Sequence, residues 1–398
     1  MQYRFEFRPY RRWFKHPLQT SHGSWEVREG IILRLSDKTG RTSWGEIAPL
    51  SWFGSETLTQ ALDFCHQLPT EITSETIFSI PATLPSCQFG FESAWEEAEG
   101  ERSQRRAGAS TEGGFPTPVP YGGKPSCRAG SSVGDWRRVS PVEATGVERC
   151  GDGGMKGWGA RNNFIPSPPL PLPLPPSPSL SVLNDCQQLG ITYSGLLPAG
   201  EAALHQWQTL WNQGYRTFKW KIGVAPIQEE LNVFHQLIRA LPASAQIRLD
   251  ANGGLNANSA SVWLQVCDLV GIEFLEQPLP VEQFDAMLEL STRYSTQLAL
   301  DESVASFEQL EASYKQGWQG IFVIKPCIAG SPSRLRQFCR EHEIDVVFSS
   351  VFETAIGRHA ALKLASELPR HNRAVGFGIS HWFDEDDKVY LQRLWKDL

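Results

Sequence analysis

From residue 191 onward the chain repeats one unit, a short β-prone stretch followed by a longer helical one. The β-prone stretches are ITYSG, TFKWK, QIRLD, IEFLE, LALDE, GIFVIK, DVVFSS and AVGFG. Between them lie segments with helical spacing, such as EAALHQWQTLWNQG, IQEELNVFHQLIRAL and SASVWLQVCDLV. Parallel strands need a crossover of a dozen or more residues, usually a helix, so this alternation predicts a parallel sheet covered by helices. Eight such units in about 200 residues predict a (β/α)8-type barrel, if a lean one.

The ends of the strands carry the chemistry. Six successive stretches finish at Lys221, Asp250, Glu276, Asp301, Lys325 and Ser350, spaced 24 to 29 residues apart. That is about one βα unit each, so a polar residue recurs at the carboxyl rim of the barrel, where active sites of this architecture are built. Around the ring the order is lysine, three carboxylates, lysine, serine. In TFKWK the side chains alternate, which puts Lys219 and Lys221 on one face and Phe218 and Trp220 on the other. Two ammonium groups in one confined space predict a lowered pKa for Lys219 or Lys221, making one of them a base.

Three carboxylates converging on one point repel unless a cation neutralises them. With no His or Cys at these positions, an all-oxygen set predicts Mg2+, with Mn2+ as a possible substitute, rather than zinc. The ion has coordination sites left for a substrate carboxylate, and the flanking lysines can remove a proton beside it.

Composition narrows the class further. The chain has 398 residues and a formal net charge of −7, which argues against a general binder of nucleic acid or of anionic membranes. Its eight cysteines form no C-x-x-C pair, the pattern of reduced thiols rather than of a disulfide framework. The start MQYRFEFRPYRRWF is basic without the apolar run of a signal peptide, and no stretch of about 20 apolar residues follows. The expectation is a cytoplasmic enzyme acting on a small-molecule carboxylate, with no nucleic-acid or membrane partner, as a monomer or a homodimer.

Residues 1–101 read as an α+β unit, with strand-like MQYRFEFRPY, GIILRLSD and TSWGEIAP, a hairpin turn at DKTG, and a helix following a possible cap at Ser55. Residues 102–182 hold 13 Pro and 13 Gly, including PSPPLPLPLPPSPS, and predict a disordered, low-complexity insertion. The barrel is expected over 183–378, with 379–398 packing back on the amino-terminal unit. The fold class is thus α/β, a (β/α)8-type barrel with an α+β capping domain.

The ordered set SWGEIAPLSWFGSET, LLPAGEAAL, YRTFKWKIG, IRLDANGG, EFLEQPLP, LALDES, VIKPCIAG, SSVFETAIG and GISHWFDED resembles the enolase superfamily, in the muconate-lactonizing-enzyme-like branch with a lysine on each side of the barrel. More closely it is similar to the o-succinylbenzoate synthases of the cyanobacterial and plastid type. The resemblance covers nearly everything outside 102–182. It implies Lys221 as the base that takes an α-proton and then helps a hydroxyl leave as water, with Lys219 tuning it. Asp250, Glu276 and Asp301 would hold Mg2+, and Lys325 would stabilise the opposite face of the ring intermediate. Arg248, Ser349, Ser350 and Gly376 would contact substrate, and Asn252 would support the metal or substrate. Loops around 21–25 and 49–54 would cap the site, although Trp52 and Phe53 fit an interdomain core equally well. The implied reaction is dehydration of 2-succinyl-6-hydroxy-2,4-cyclohexadiene-1-carboxylate towards phylloquinone or menaquinone. The alternatives are N-acylamino acid racemisation or dipeptide epimerisation. The latter is expected to need an acidic pair at the eighth strand, where this chain has Gly376, Phe377 and Gly378, with Asp384 and Asp386 only later.

Overall fold

A computed structural model describes residues 2–20, 23–109, 190–368, 371–379 and 382–396. The composition-based insertion lies outside the described residues from 110 onward. At its start, the helix Pro85–Ala109 runs past the boundary expected at 101.

The amino-terminal unit is built on a four-stranded antiparallel sheet of order β3-β2-β1-β4. Its strands are β1 (Gln2–Thr20), β2 (Gly23–Ser36), β3 (Thr42–Ile47) and β4 (Glu71–Thr73). The DKTG turn is present and depends on Gly40, whose φ of +83° few side chains adopt. Period-2 alternation gives the sheet two apolar faces. Tyr3, Phe5, Ile31, Leu33 and Leu35 pack with Cys65 and Phe91 of the helices Leu58–Gln67 and Pro85–Ala109. Tyr10 and Ile32 pack with Tyr390 of the helix Asp387–Lys396. Arg12 pairs with Asp387, and the Tyr390 hydroxyl donates to the Arg11 carbonyl at 3.0 Å. The helix Leu58–Gln67 is capped by Thr57, not Ser55. Thr57 and Gln60 hydrogen-bond reciprocally in a capping box, while the Ser55 hydroxyl accepts from the Leu50 amide.

The second sheet holds seven parallel strands in chain order: β5 (Ser194–Leu197), β6 (Thr217–Lys221), β7 (Gln246–Asp250), β8 (Phe274–Glu276), β9 (Leu298–Leu300), β10 (Ile321–Ile324) and β11 (Asp345–Phe348). The eighth stretch, AVGFG, is reduced to two bridges, Tyr193 with Val375 and Ser349 with Gly376. These bridges still close the ring. The Gly376 amide donates to the Phe348 carbonyl and the Ser194 amide to the Val375 carbonyl, so 375–376 joins β11 to β5. Outward residues meet the helices, as where Trp220 stacks on Phe234 with ring centroids 6.3 Å apart. Inside, Phe274, Ala299, Ile321, Val323 and Val347 fill the barrel below the rim.

Candidate active site

β6 does what its alternation predicts. Phe218 and Trp220 are fully buried toward the helices, and Lys219 and Lys221 line the opposite face. The register pairs Lys221 with Asp250 and Asp250 with Glu276, so these ends stand side by side along the rim. Asp301 and Lys325 follow immediately after β9 and β10. Lys219, Lys221, Asp250, Asp301 and Lys325 floor a cleft of about 310 Å³, with Glu276 buried beside Asp250.

The three lysines differ in their partners. The Lys219 ammonium lies 2.7 Å from Asp250 Oδ2 and 2.6 Å from Glu276 Oε1. Burial pulls its pKa down, but Asp250, Glu276 and Asp301 together push it well above the usual lysine value. That reverses the expectation of a lowered value for this residue, because carboxylates outnumber the cations around it. Lys325 forms a close ion pair with Asp301 and sets its ammonium 4.0 Å from the centroid of the Phe53 ring. Lys221 faces the cleft and makes no ion pair or hydrogen bond with a described side chain.

The carboxylates are crowded. Burial, then the neighbouring Asp250, pushes Glu276 well above the usual carboxylate range, against the pull of Lys219. Glu302, next to Asp301, is pushed up to about 7 by burial and by Asp301 and Asp250. One of its oxygens, Oε2, is buried without a hydrogen-bond partner. Among the described residues no three such groups form a closed cage as they stand, and the Lys219 ammonium bridges Asp250 and Glu276. This crowded, all-oxygen set fits a divalent cation of the Mg2+ type. Asp250, Glu276 and Asp301 are the residues that would hold it.

Two residues the sequence reading passed over support this floor. Glu302 accepts from Asn252 Nδ2 at 3.2 Å, and its signal was a second acid directly beside Asp301. Gln277 is fully buried, and its Oε1 accepts from the Asp301 and Ser303 amides while its Nε2 donates to Ser303 Oγ. Asn252, Gln277 and Phe352 all hold positive φ (44°, 36° and 63°), conformations of the kind that concentrate at functional sites.

Among the expected substrate contacts, Asn252, Ser349, Ser350 and Gly376 line the cleft. Ser350 is already engaged, donating to Glu353 and accepting from the Phe352 amide. A Cβ on Gly376 would stand 2.9 Å from Ser349 Oγ, so only glycine leaves that hydroxyl in place. Arg248 is not brought to the cleft. It is buried deeper in the barrel, donating to Glu273 at 2.7 and 3.1 Å and to the Ala374 carbonyl at 2.7 Å. It shares a face with Asp250, but one side-chain layer farther from the rim.

Aromatic rings cover the cleft. Trp25, Trp52, Phe53, Phe352 and Trp382 line it, with Trp25 and Trp52 ring centroids 4.9 Å apart. Trp52 and Phe53 both line the cleft, and Phe53 also packs against the barrel's hydrophobic core. Of the loop expected at 21–25, Ser21 and His22 lie outside the described residues.

Comparison with known proteins places this architecture. The Enolase C-terminal domain-like family matches residues 202–393, and the family described as MenC, N-terminal domain, matches 16–98. The o-succinylbenzoate synthase of Thermosynechococcus vestitus is 34% identical over 404 residues, covering 99% of each chain. The crystal structure of o-succinylbenzoate synthase from Thermosynechococcus elongatus, complexed with Mg in the active site, superposes with a TM-score of 0.71 at 33% identity, covering 99% of this chain and 100% of that one. A dipeptide epimerase from Enterococcus faecalis shares the fold, with a TM-score of 0.66 at 16% identity over 97% of this chain and 93% of its own. With full-length identity of this order and two sheets that close on a lysine–carboxylate cleft, the chain belongs to the o-succinylbenzoate synthase family of the enolase superfamily.

Proposed function

We propose that the protein dehydrates 2-succinyl-6-hydroxy-2,4-cyclohexadiene-1-carboxylate to 2-succinylbenzoate, as a carbon–oxygen lyase on the route to phylloquinone or menaquinone. The observation that carries the assignment of roles is Lys221. It faces the cleft with no ion-pair partner among the described residues, while Lys219 and Lys325 are both committed to carboxylates.

In this reading Lys221 takes the proton from the ring carbon that bears the carboxylate, and the C–H electron pair moves into the ring. The hydroxyl on the adjacent carbon then leaves with that proton as water. One hydrogen and one hydroxyl depart, the ring becomes aromatic, and no oxidant is needed. Lys219 stays protonated and supplies fixed positive charge beside the reacting carboxylate. Lys325, four strands around the ring from Lys221, presents its ammonium to the other face of the substrate ring. Asp250, Glu276 and Asp301 would hold Mg2+, or Mn2+ in its place, and Asn252 steadies Asp250 and Glu302. When bound, the ion supplies positive charge against the substrate carboxylate and so lowers the cost of removing the proton beside it. Ser349 and Gly376 form the wall that accommodates the succinyl arm. That wall carries no carboxylate at 376–378 for a substrate ammonium, which disfavours dipeptide epimerisation.

The test is ultraviolet-monitored aromatisation by the purified protein, with Mg2+ and with EDTA. Lys221→Ala is expected to lower kcat by about a thousandfold or more, the scale of a lost general base. A folded Lys221→Ala variant that keeps the parent rate would overturn the assignment.

A further inference from the structure

We propose that Phe53, from the amino-terminal unit, is a positioning residue for Lys325: its ring face holds the ammonium in the cleft. This rests on the functional reading above and adds a role for the capping loop beyond covering the site.

The backbone of Lys325 is fixed, because it ends β10 and Pro326 opens the helix Pro326–Ala329 directly after it. Its four-carbon side chain is not fixed by that, and a flexible ammonium needs contacts to hold one orientation. The structure gives it two described contacts, the Asp301 carboxylate and the Phe53 ring at 4.0 Å. Among the described residues this is the one lysine ammonium set over an aromatic face, although many rings line or approach the cleft. Asp301 also belongs to the carboxylate set that would hold the metal, so its charge is shared. The Phe53 quadrupole is not.

Phe53 is itself held firmly enough to serve. It ends a single 3-10 turn, Ser51–Phe53, and its amide donates to the Leu50 carbonyl at 2.9 Å. Gly54 closes the turn at a φ of +114°, and a Cβ there would stand 3.3 Å from the Ala305 methyl, so the loop sits directly on the barrel beside the end of β9. On the other side, the Ser55 hydroxyl accepts from the Leu50 amide, and Arg28 donates to the Pro49 carbonyl at 2.8 Å. The ring is thus anchored at both ends of its loop. An aromatic face attracts a desolvated ammonium without forming a directional bond, so it can hold Lys325 and still leave its N–H groups toward the substrate.

Two measurements on the full chain decide this. In protein labelled with 13Cε-lysine, the Lys325 signal, assigned through Lys325→Arg, is expected to show an upfield ring-current shift that disappears in Phe53→Leu. A Lys325 signal at the ordinary lysine position would overturn the contact whether or not the protein is active. In turnover, mono-, di- and trifluorophenylalanine at position 53 keep the ring's shape but drain its quadrupole. The expected result is a stepwise fall in kcat to about a tenth, with KM changing less than about threefold, and rescue of most activity by Phe53→Tyr. A flat fluorine series in an active protein would overturn the positioning role. An inactive parent would instead overturn the functional reading, and the spectroscopic arm would still decide the contact.

Discussion

Arg248 and Asp250 share one face of β7, and a single strand repeat separates their surroundings. Asp250 reaches the rim, whereas Arg248 stays in the barrel interior with Glu273, which also accepts from Arg373 at 2.8 Å. Burial alone raises the Glu273 pKa, but Arg248 and Arg373 overcome it and hold the carboxyl below its usual value. A depressed carboxylate pKa stabilises the fold above the ordinary glutamate range near pH 4.3, and that stabilisation drains away as pH falls through the lowered value. Glu273→Gln is therefore expected to cost about 3 kcal/mol at pH 7, since it strands a buried guanidinium. The difference in Tm from the parent should shrink below about pH 4. A gap that stays constant from pH 7 to pH 3 would contradict the ion-pair account. The same pair of residues shows how far the sequence reads at this scale. Alternation assigns a residue to a face, and regular spacing marked the six rim positions. Neither reports depth along the barrel, so neither could correct the substrate contact that the family resemblance implied for Arg248. Glu302 and Gln277 were hidden for a related reason, because their roles come from hydrogen bonds made across neighbouring units.

The helix Ala355–Glu367 illustrates what elements require of one another. Its first amides need acceptors, and a carboxylate from another unit provides them. Glu46 of β3 is fully buried and accepts from the Thr354 and Gly357 amides at 2.9 Å and from the Tyr10 hydroxyl at 2.6 Å. Gly357 is required at that position, because a Cβ would stand 2.9 Å from Glu46 Oε2. The segment just before this helix, 349–352, forms part of the cleft wall, so the joint between units also steadies the site. Glu46→Ala leaves several buried donors without partners and is expected to cost about 3 kcal/mol, read as a lower urea midpoint with an unchanged slope. A midpoint within error of the parent would show that water replaces the carboxylate. Local patterning revealed β3 and the strand–helix alternation but not this joint, whose partners are more than 300 residues apart. It also overstated the eighth strand. AVGFG has the alternation of a strand, but its glycines offer little side chain to pack, and only Val375 and Gly376 bridge.

Across the whole molecule, every described residue lining the cleft comes from 18–53 or from 194–382. The entropic cost of a long connection grows only slowly with its length. Excising 110–182 is expected to leave kcat/KM within a few-fold of the parent in the aromatisation assay. Loss of all soluble, active protein would show that the segment is needed for folding. No described helix is long and apolar enough to cross a membrane. The roof offers one more way to follow them. Trp25 and Trp52 meet nearly edge to face, with an interplanar angle of 82°, above a floor of lysines and carboxylates. Two indoles held that close couple their electronic transitions, so the cleft carries a built-in optical gauge. The part of the exciton circular dichroism lost in Trp52→Phe is expected to report the Trp25–Trp52 geometry, apart from the Trp44–Trp395 pair whose centroids are 4.8 Å apart.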